Sequence, residues 1–138
     1  MRNARTNAAR WLRQAEHDFT AAEKCLGAGL YSYAAFCAEQ TGQKALKAFL
    51  LGRGRRRIVT HSVGTLAREA AAVDERFAAL VDRAARLDRH YLTSRYPDAL
   101  PEPAIPAESY VRKDAQEAMA AARIILEAAA GAIGKGEP

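Results

Sequence analysis

The apolar residues Ala8, Trp11, Ala15, Phe19, Ala22 and Leu26 recur at intervals of three and four, the spacing that puts side chains on one stripe of an α-helix. This predicts a long first helix ending at Gly27-Ala-Gly29, where glycine frees the backbone to turn. So short a link forces a hairpin. The second helix is expected from about Leu30 to Leu51, with Tyr33, Phe36, Cys37, Ala45, Ala48 and Phe49 on its apolar side and a stop at Gly52-Arg-Gly54. Two long antiparallel helices form the frame.

Beyond the run Arg53-Gly-Arg-Arg-Arg57, Ser62 has the chemistry of an N-cap for a short helix through about Ala70, because its hydroxyl can accept an otherwise orphaned N–H. Asp74 caps another, in which Phe77, Leu80, Val81, Ala84, Leu87 and Tyr91 keep helical spacing as far as about Ser94. Four prolines between Pro97 and Pro106 predict an extended loop, since proline fixes φ and removes a backbone donor. The last helix starts near Ser109 and runs through Met119, Ile124 and Leu126 to Gly131, leaving residues 132–138 as a flexible tail. The expectation is one all-α domain over residues 1–131, an up-and-down bundle of four long helices plus one short helix.

Composition strengthens this reading. A length of 138 residues suits one domain, and 49% hydrophobic with 27% charged residues is globular rather than disordered. The 32 alanines outnumber Val, Ile and Thr together, which total 16, and that balance argues against a sheet. So many small side chains leave one bundle thin in bulky core residues, and a second copy in a homodimer would supply the missing burial. No apolar run reaches the roughly 20 residues a membrane helix needs, and the Arg-rich start Met1–Arg13 leads into no signal segment. A soluble, cytoplasmic protein is expected. Cys25 and Cys37 stand apart from any C-x-x-C or Cys/His cluster and read as small buried thiols, so no metal site or cofactor motif is indicated.

The net charge of +5, from 21 Lys+Arg against 16 Asp+Glu, divides into two features. One is the loop 53–57, with four arginines in five positions, either solvated or in contact with a polyanion. The other is the stretch Arg83-Ala-Ala-Arg-Leu-Asp-Arg-His90-Tyr91-Leu-Thr-Ser-Arg95. On a continuous helix Asp88, Tyr91 and Arg95 fall on one stripe beside His90. The simplest structural reading is an Asp88–Arg95 ion pair, a half-buried Tyr91 and a solvated His90. The functional reading is phosphate chemistry, because histidine exchanges protons near neutral pH and arginine grips phosphate with two hydrogen bonds. Lys44 and Lys47 follow Gln40 at helical spacing and read either as lysines snorkelling from a packed helix or as phosphate ligands. No glycine-rich phosphate cradle, G-x-S-x-G elbow or H-E-x-x-H motif is present.

These pieces resemble the HEPN domain family over almost the whole chain and in the same order. The resemblance rests on Trp11…Ala15…Asp18-Phe19, on Tyr31…Ala34-Ala35-Phe36…Gln40…Gln43-Lys44-Ala45-Leu46-Lys47-Ala48, and on His61-Ser-Val…Leu66. It continues in Leu87-Asp-Arg-His-Tyr91, in Thr93-Ser-Arg-Tyr-Pro-Asp-Ala99 and in the helix after Tyr110. It implies a homodimer of helical bundles, often working with a minimal nucleotidyltransferase in a toxin–antitoxin-like or regulatory pair. It also implies binding of a nucleotide or RNA phosphate, for which Lys44, Lys47, Asp88, Tyr91, Arg95 and Tyr96 are the candidate ligands here. Many family members are metal-independent RNases with an Arg, four to six residues, then His; Arg83 and His90, six residues apart, match that spacing. In that alternative Arg83 and His90 are the catalytic pair, and the residue after the arginine, often polar in active members, is Ala84. A second alternative is a non-catalytic structural adaptor.

Overall fold

Helix α1 (Ala4–Gly27) begins where the Asn3 side chain accepts the N–H groups of Arg5 and Thr6, at 2.8 and 3.3 Å. In the computed structural model, which describes residues 3–135, it is followed by α2 (Tyr31–Gly52) across a tight turn. Leu30 N–H closes that turn on Cys25 O at 2.8 Å, and Gly29 takes a φ of 78°, a conformation costly for any residue with a Cβ. The predicted hairpin is therefore present.

After the arginine loop come α3 (Val63–Val73) and a 3₁₀ turn (Glu75–Leu80) that leads into α4 (Val81–Leu87). A one-turn helix, α5 (His90–Thr93), precedes a 3₁₀ turn at Pro97–Ala99, then α6 (Pro106–Ser109) and the long α7 (Arg112–Lys135). Both predicted caps form: Ser62 Oγ accepts Thr65 N–H at 3.0 Å, and Asp74 Oδ1 accepts Arg76 N–H at 3.1 Å. No strand occurs among the described residues. The fold is an all-α bundle.

Helix α2 is its axis, packed between α1 and α7 with α3, α4 and α5 across it. Ala45, Leu46, Phe49 and Leu50 are buried there against Ala15 and Phe19 of α1, Leu66 of α3, Phe77, Leu87, and Ile125 of α7. The Phe49 and Phe77 rings approach to 4.4 Å. Each such large side chain contributes roughly 1.5–3 kcal/mol on burial, so these few residues carry much of the core's stability. Alanines fill the closer crossings. At one of them Gly64 lets α3 touch α4, where an added Cβ would stand 3.0 Å from Ala85 Cα.

The structure changes several local expectations. The predicted helix from Asp74 to Ser94 is interrupted at Asp88-Arg89. Tyr33, expected on the apolar stripe, is 52% exposed, because the buried side of α2 is set by Ala34, Ala35 and Ala38. The proline stretch is not wholly extended: Pro97 and Pro106 each start a short helical turn, a position where proline's missing N–H costs nothing. Helix α7 runs past Gly131 to Lys135, so the predicted tail is helical over its first residues, and residues 136–138 lie outside the described region. Cys25 and Cys37 are half-buried rather than fully buried. Burial, reinforced by Cys25 and Asp18, pushes the Cys37 thiol up to about 11, which keeps it protonated and unreactive. Among the described residues no helix is long and apolar enough to cross a membrane.

Candidate functional site

The interruption after Leu87 has an identifiable cause. Asp88 turns its carboxylate to the start of α3, where it accepts Ser62 Oγ–H at 2.8 Å, Val63 N–H at 2.6 Å and Gly64 N–H at 3.2 Å. These are orphan donors of a helix N-terminus, and a carboxylate satisfies them with favourable charge. The expected partner, Arg95, goes elsewhere. Its guanidinium donates to Tyr91 O at 2.6 and 3.0 Å and lies over the rings of Phe36, Tyr96 and Tyr91, 4.2, 4.8 and 5.1 Å from their centres.

His90 lies inside the bundle, only 3% exposed, and not in solvent. Its Nδ1 is 2.7 Å from Tyr110 Oη, and Tyr110 Oη is 2.9 Å from Thr93 Oγ1. Thr93 donates in turn to Arg89 O, and Ser94 Oγ donates to His90 O. Arg89 Nε donates to His90 Nε2 at 3.4 Å. A neutral imidazole that accepts at Nε2 carries its proton on Nδ1 and gives it to Tyr110. The chain Nδ1–H to Tyr110 to Thr93 to Arg89 O is then consistent in direction. Burial first, and the Arg89 guanidinium second, hold His90 down at about 4 against an ordinary 6.5. It is uncharged at neutral pH.

His90 also lines a groove of about 410 Å³ between α4 and α7, together with Arg83, Arg86, Arg89, Glu117 and Ile124. Arg83 makes a long contact of 3.5 Å to Ala79 O, and Arg86 has no hydrogen-bonded or ionic partner among the described residues. Glu117 sits 4.0 Å from Lys113 at the surface. The groove therefore offers three arginines and a neutral imidazole to whatever enters it. Its chemistry fits an anionic ester more readily than a cation.

The remaining candidates form a second group. Gln43 Oε1 accepts from Lys47 Nζ at 3.0 Å and from His61 Nδ1 at 3.2 Å, while Gln43 and Gln40 donate to the fully buried Glu39 carboxylate at 2.9 and 2.8 Å. Burial raises Glu39 and lowers Lys47, so each is displaced toward its neutral form. The His61 ring stacks on Tyr91, centres 5.8 Å apart, which links Lys47 through Gln43 and His61 to Tyr91, Arg95 and Tyr96. Lys44 leaves this belt to pair with Asp18 at 2.7 Å.

The structure thus brings Arg83 and His90 to one groove, places Lys47, Tyr91, Arg95 and Tyr96 in one belt, and engages Asp88 and Lys44 in contacts of their own. Arg86, Arg89 and Tyr110 were missed by sequence reasoning. The triplet Arg83, Arg86, Arg89 repeats every three residues, a signal that was readable; Tyr110 gave none, because it returns to His90 from beyond the proline loop.

This combination of an α-helical bundle and a buried histidine beside a row of arginines defines a class. The chain belongs to the HEPN domain family, whose model matches residues 8–132. Its fold is shared with a solved protein of Thermus thermophilus, 37% identical with a TM-score of 0.81 over 91% of this chain and 98% of that one. It is also similar to a structure described as an archaeal HEPN homologue, 33% identical with a TM-score of 0.76, covering 92% and 98% of the two chains. In sequence it is similar to "Putative toxin MJ1304" of Methanocaldococcus jannaschii, 28% identical over 124 residues, which are 85% of this chain and 82% of that protein.

Proposed function

We propose that this protein binds RNA along the groove between α4 and α7 and cleaves it without a metal, as the toxin-like member of a pair with a minimal nucleotidyltransferase. The observation that carries the reading is the groove itself, where Arg83, Arg86, Arg89 and His90 face one open space. Three guanidiniums supply the charge to hold consecutive phosphates. His90 supplies a base whose orientation is set by Tyr110 and Thr93. The similarity to a Methanocaldococcus jannaschii protein with a toxin in its name supports the biological setting. Lys47, Tyr91, Arg95 and Tyr96 are less suited to a free nucleotide, because Lys47 donates to Gln43 and Arg95 donates to Tyr91 O and lies over the rings of Tyr91 and Tyr96.

The reaction follows from these groups. As the Arg89 guanidinium turns from its 3.4 Å contact with His90 Nε2 to the phosphate, that nitrogen takes the proton of a ribose 2′-hydroxyl, the 2′-oxygen bonds to phosphorus, and the bond from phosphorus to the 5′-oxygen breaks. The 5′-oxygen takes back the proton held by His90, which returns the imidazole to its neutral form and leaves a 2′,3′-cyclic phosphate and a 5′-hydroxyl. Arg83 stabilises the negative charge growing on the phosphoryl oxygens. An imidazole held near 4 is a weak base; a bound phosphate beside Arg89 offsets the smaller of the two effects that depress it, while burial, the larger, remains.

Exposed Ala120 and Ile124 border the groove on α7, and a second copy of the chain seated there would close it against water. Purified protein incubated with RNA in EDTA tests the reading: cleavage is expected from the wild type and is lost in Arg83→Ala, an exposed position whose truncation leaves the core intact. Absence of cleavage in every RNA tried would refute it.

A further inference from the structure

The outer face of the α1–α2 hairpin carries a basic recess that shares no residue with the groove above. It is about 640 Å³ in size and is lined by Arg10, Trp11, Arg13 and His17 of α1 with Lys44 of α2. Positions 10, 13 and 17 repeat at helical spacing, so the arginines point the same way along α1. Arg13 has no ionic partner among the described residues, and Arg10 makes only a 3.5 Å contact with Asn7. The one nearby carboxylate in contact, Asp18, is taken by Lys44 and by Gln14 at 3.1 Å. Behind the recess, Lys47 Nζ lies 5.6 Å from the centre of the Trp11 ring. Cations in this recess outnumber the anion that faces them.

The charge continues along the hairpin. Toward the start of α1 a second recess is lined by Leu51, Gly54, Arg55 and Arg56. Arg55 is paired with Glu69 at 2.7 Å, while Arg56 is exposed. From Ala4 to His17 the helix rises roughly 20 Å, a span of several nucleotides of extended strand. Trp11 is half-buried and lines the middle of it, and an aromatic set between cations is what unpaired bases stack on. A duplex keeps its bases inside and has nothing to offer an indole.

We propose that this face is a separate binding site for single-stranded polynucleotide, with Arg10, Arg13 and Arg56 on the phosphates and Trp11 stacked on a base. The site takes up strand by charge and stacking without reading its sequence, and delivers it to no particular bond. It stands whether or not the Arg83–His90 groove cleaves RNA.

Trp11 is the chain's single tryptophan, so its fluorescence reports this site alone. The full chain carrying Arg83→Ala is titrated with a 12-nucleotide oligo(rU), with oligo(dT) of equal length and with a blunt duplex. Quenching of Trp11 by either single strand, with little by the duplex, is expected, and the tighter of the two identifies the natural polymer. Arg10→Ala with Arg13→Ala is expected to weaken binding about tenfold at 0.1 M salt and to flatten the dependence of log K on log salt by roughly 1.4, the value for two lost contacts on a single strand. No quenching by either strand, equal quenching by the duplex, or unchanged affinity in the double variant overturns the proposal. Cleavage by the wild type in EDTA is scored separately, so failure of one site is not read as failure of the other.

Discussion

His90 Nδ1 and Tyr110 Oη are 2.7 Å apart, joined across the whole proline loop. Tyr110→Phe removes the hydroxyl and leaves a buried Nδ1–H without its acceptor. The expected cost is about 1–2 kcal/mol of stability, with a larger proportional loss of RNA cleavage because the imidazole is no longer held in one tautomer. Denaturant unfolding and a cleavage time course measure both. An unchanged midpoint with unchanged activity would show that the contact does not matter.

Acid stability gives an independent check on His90. Its folded-state value of about 4 lies below the ordinary 6.5, so between these limits the unfolded chain binds more protons than the folded one. The contribution to stability is complete above pH 6.5 and is lost as pH falls toward 4. A 2.5-unit window corresponds to at most about 3 kcal/mol. Melting temperatures taken at half-unit intervals should fall through this window, and His90→Phe should fall less steeply. Parallel curves would mean that His90 is not held neutral by the fold.

Asp88 joins α3 to the chain entering α5 through three accepted hydrogen bonds. Asn at this position keeps one carbonyl oxygen and brings an NH₂ group against backbone N–H donors. Asp88→Asn is expected to cost roughly 1–3 kcal/mol, read as a lower denaturant midpoint with an unchanged slope. A change below the error of the measurement would contradict the capping role.

Gly64 makes a sharper test of the same crossing. A Cβ there meets Ala85 Cα at 3.0 Å and Asp88 Oδ2 at 3.2 Å, and backbone cannot step aside as a flexible side chain can. Gly64→Ala is expected to destabilise by about 1–3 kcal/mol, although alanine is by itself the better helix former. A gain in stability would place α3 further from α4 than described.

Much of the fold was legible because its signals are local. The three-and-four spacing of Ala8 to Leu26 marks α1, and the short oxygen side chains of Ser62 and Asp74 mark the starts that follow. The break at Asp88 was not legible, since its partners lie 24–26 residues upstream and no local pattern encodes them. His90 and Arg95 went to opposite fates for the same reason. His90 is drawn inward by Tyr110, and Arg95 is drawn onto Phe36, 59 positions earlier in the chain. The spacing of Arg83, Arg86 and Arg89 was readable in the chain, while the groove they line with His90 needed the placement of α7.

Incubation of the wild type and of Arg83→Ala with RNA in EDTA, with the termini of the products identified, tests the central claim most directly. The expected result is wild-type fragments ending in 2′,3′-cyclic phosphate and 5′-hydroxyl, with a rate at least about a hundredfold lower in the variant. Intact RNA in both reactions, or equal cleavage by the two proteins, would contradict it.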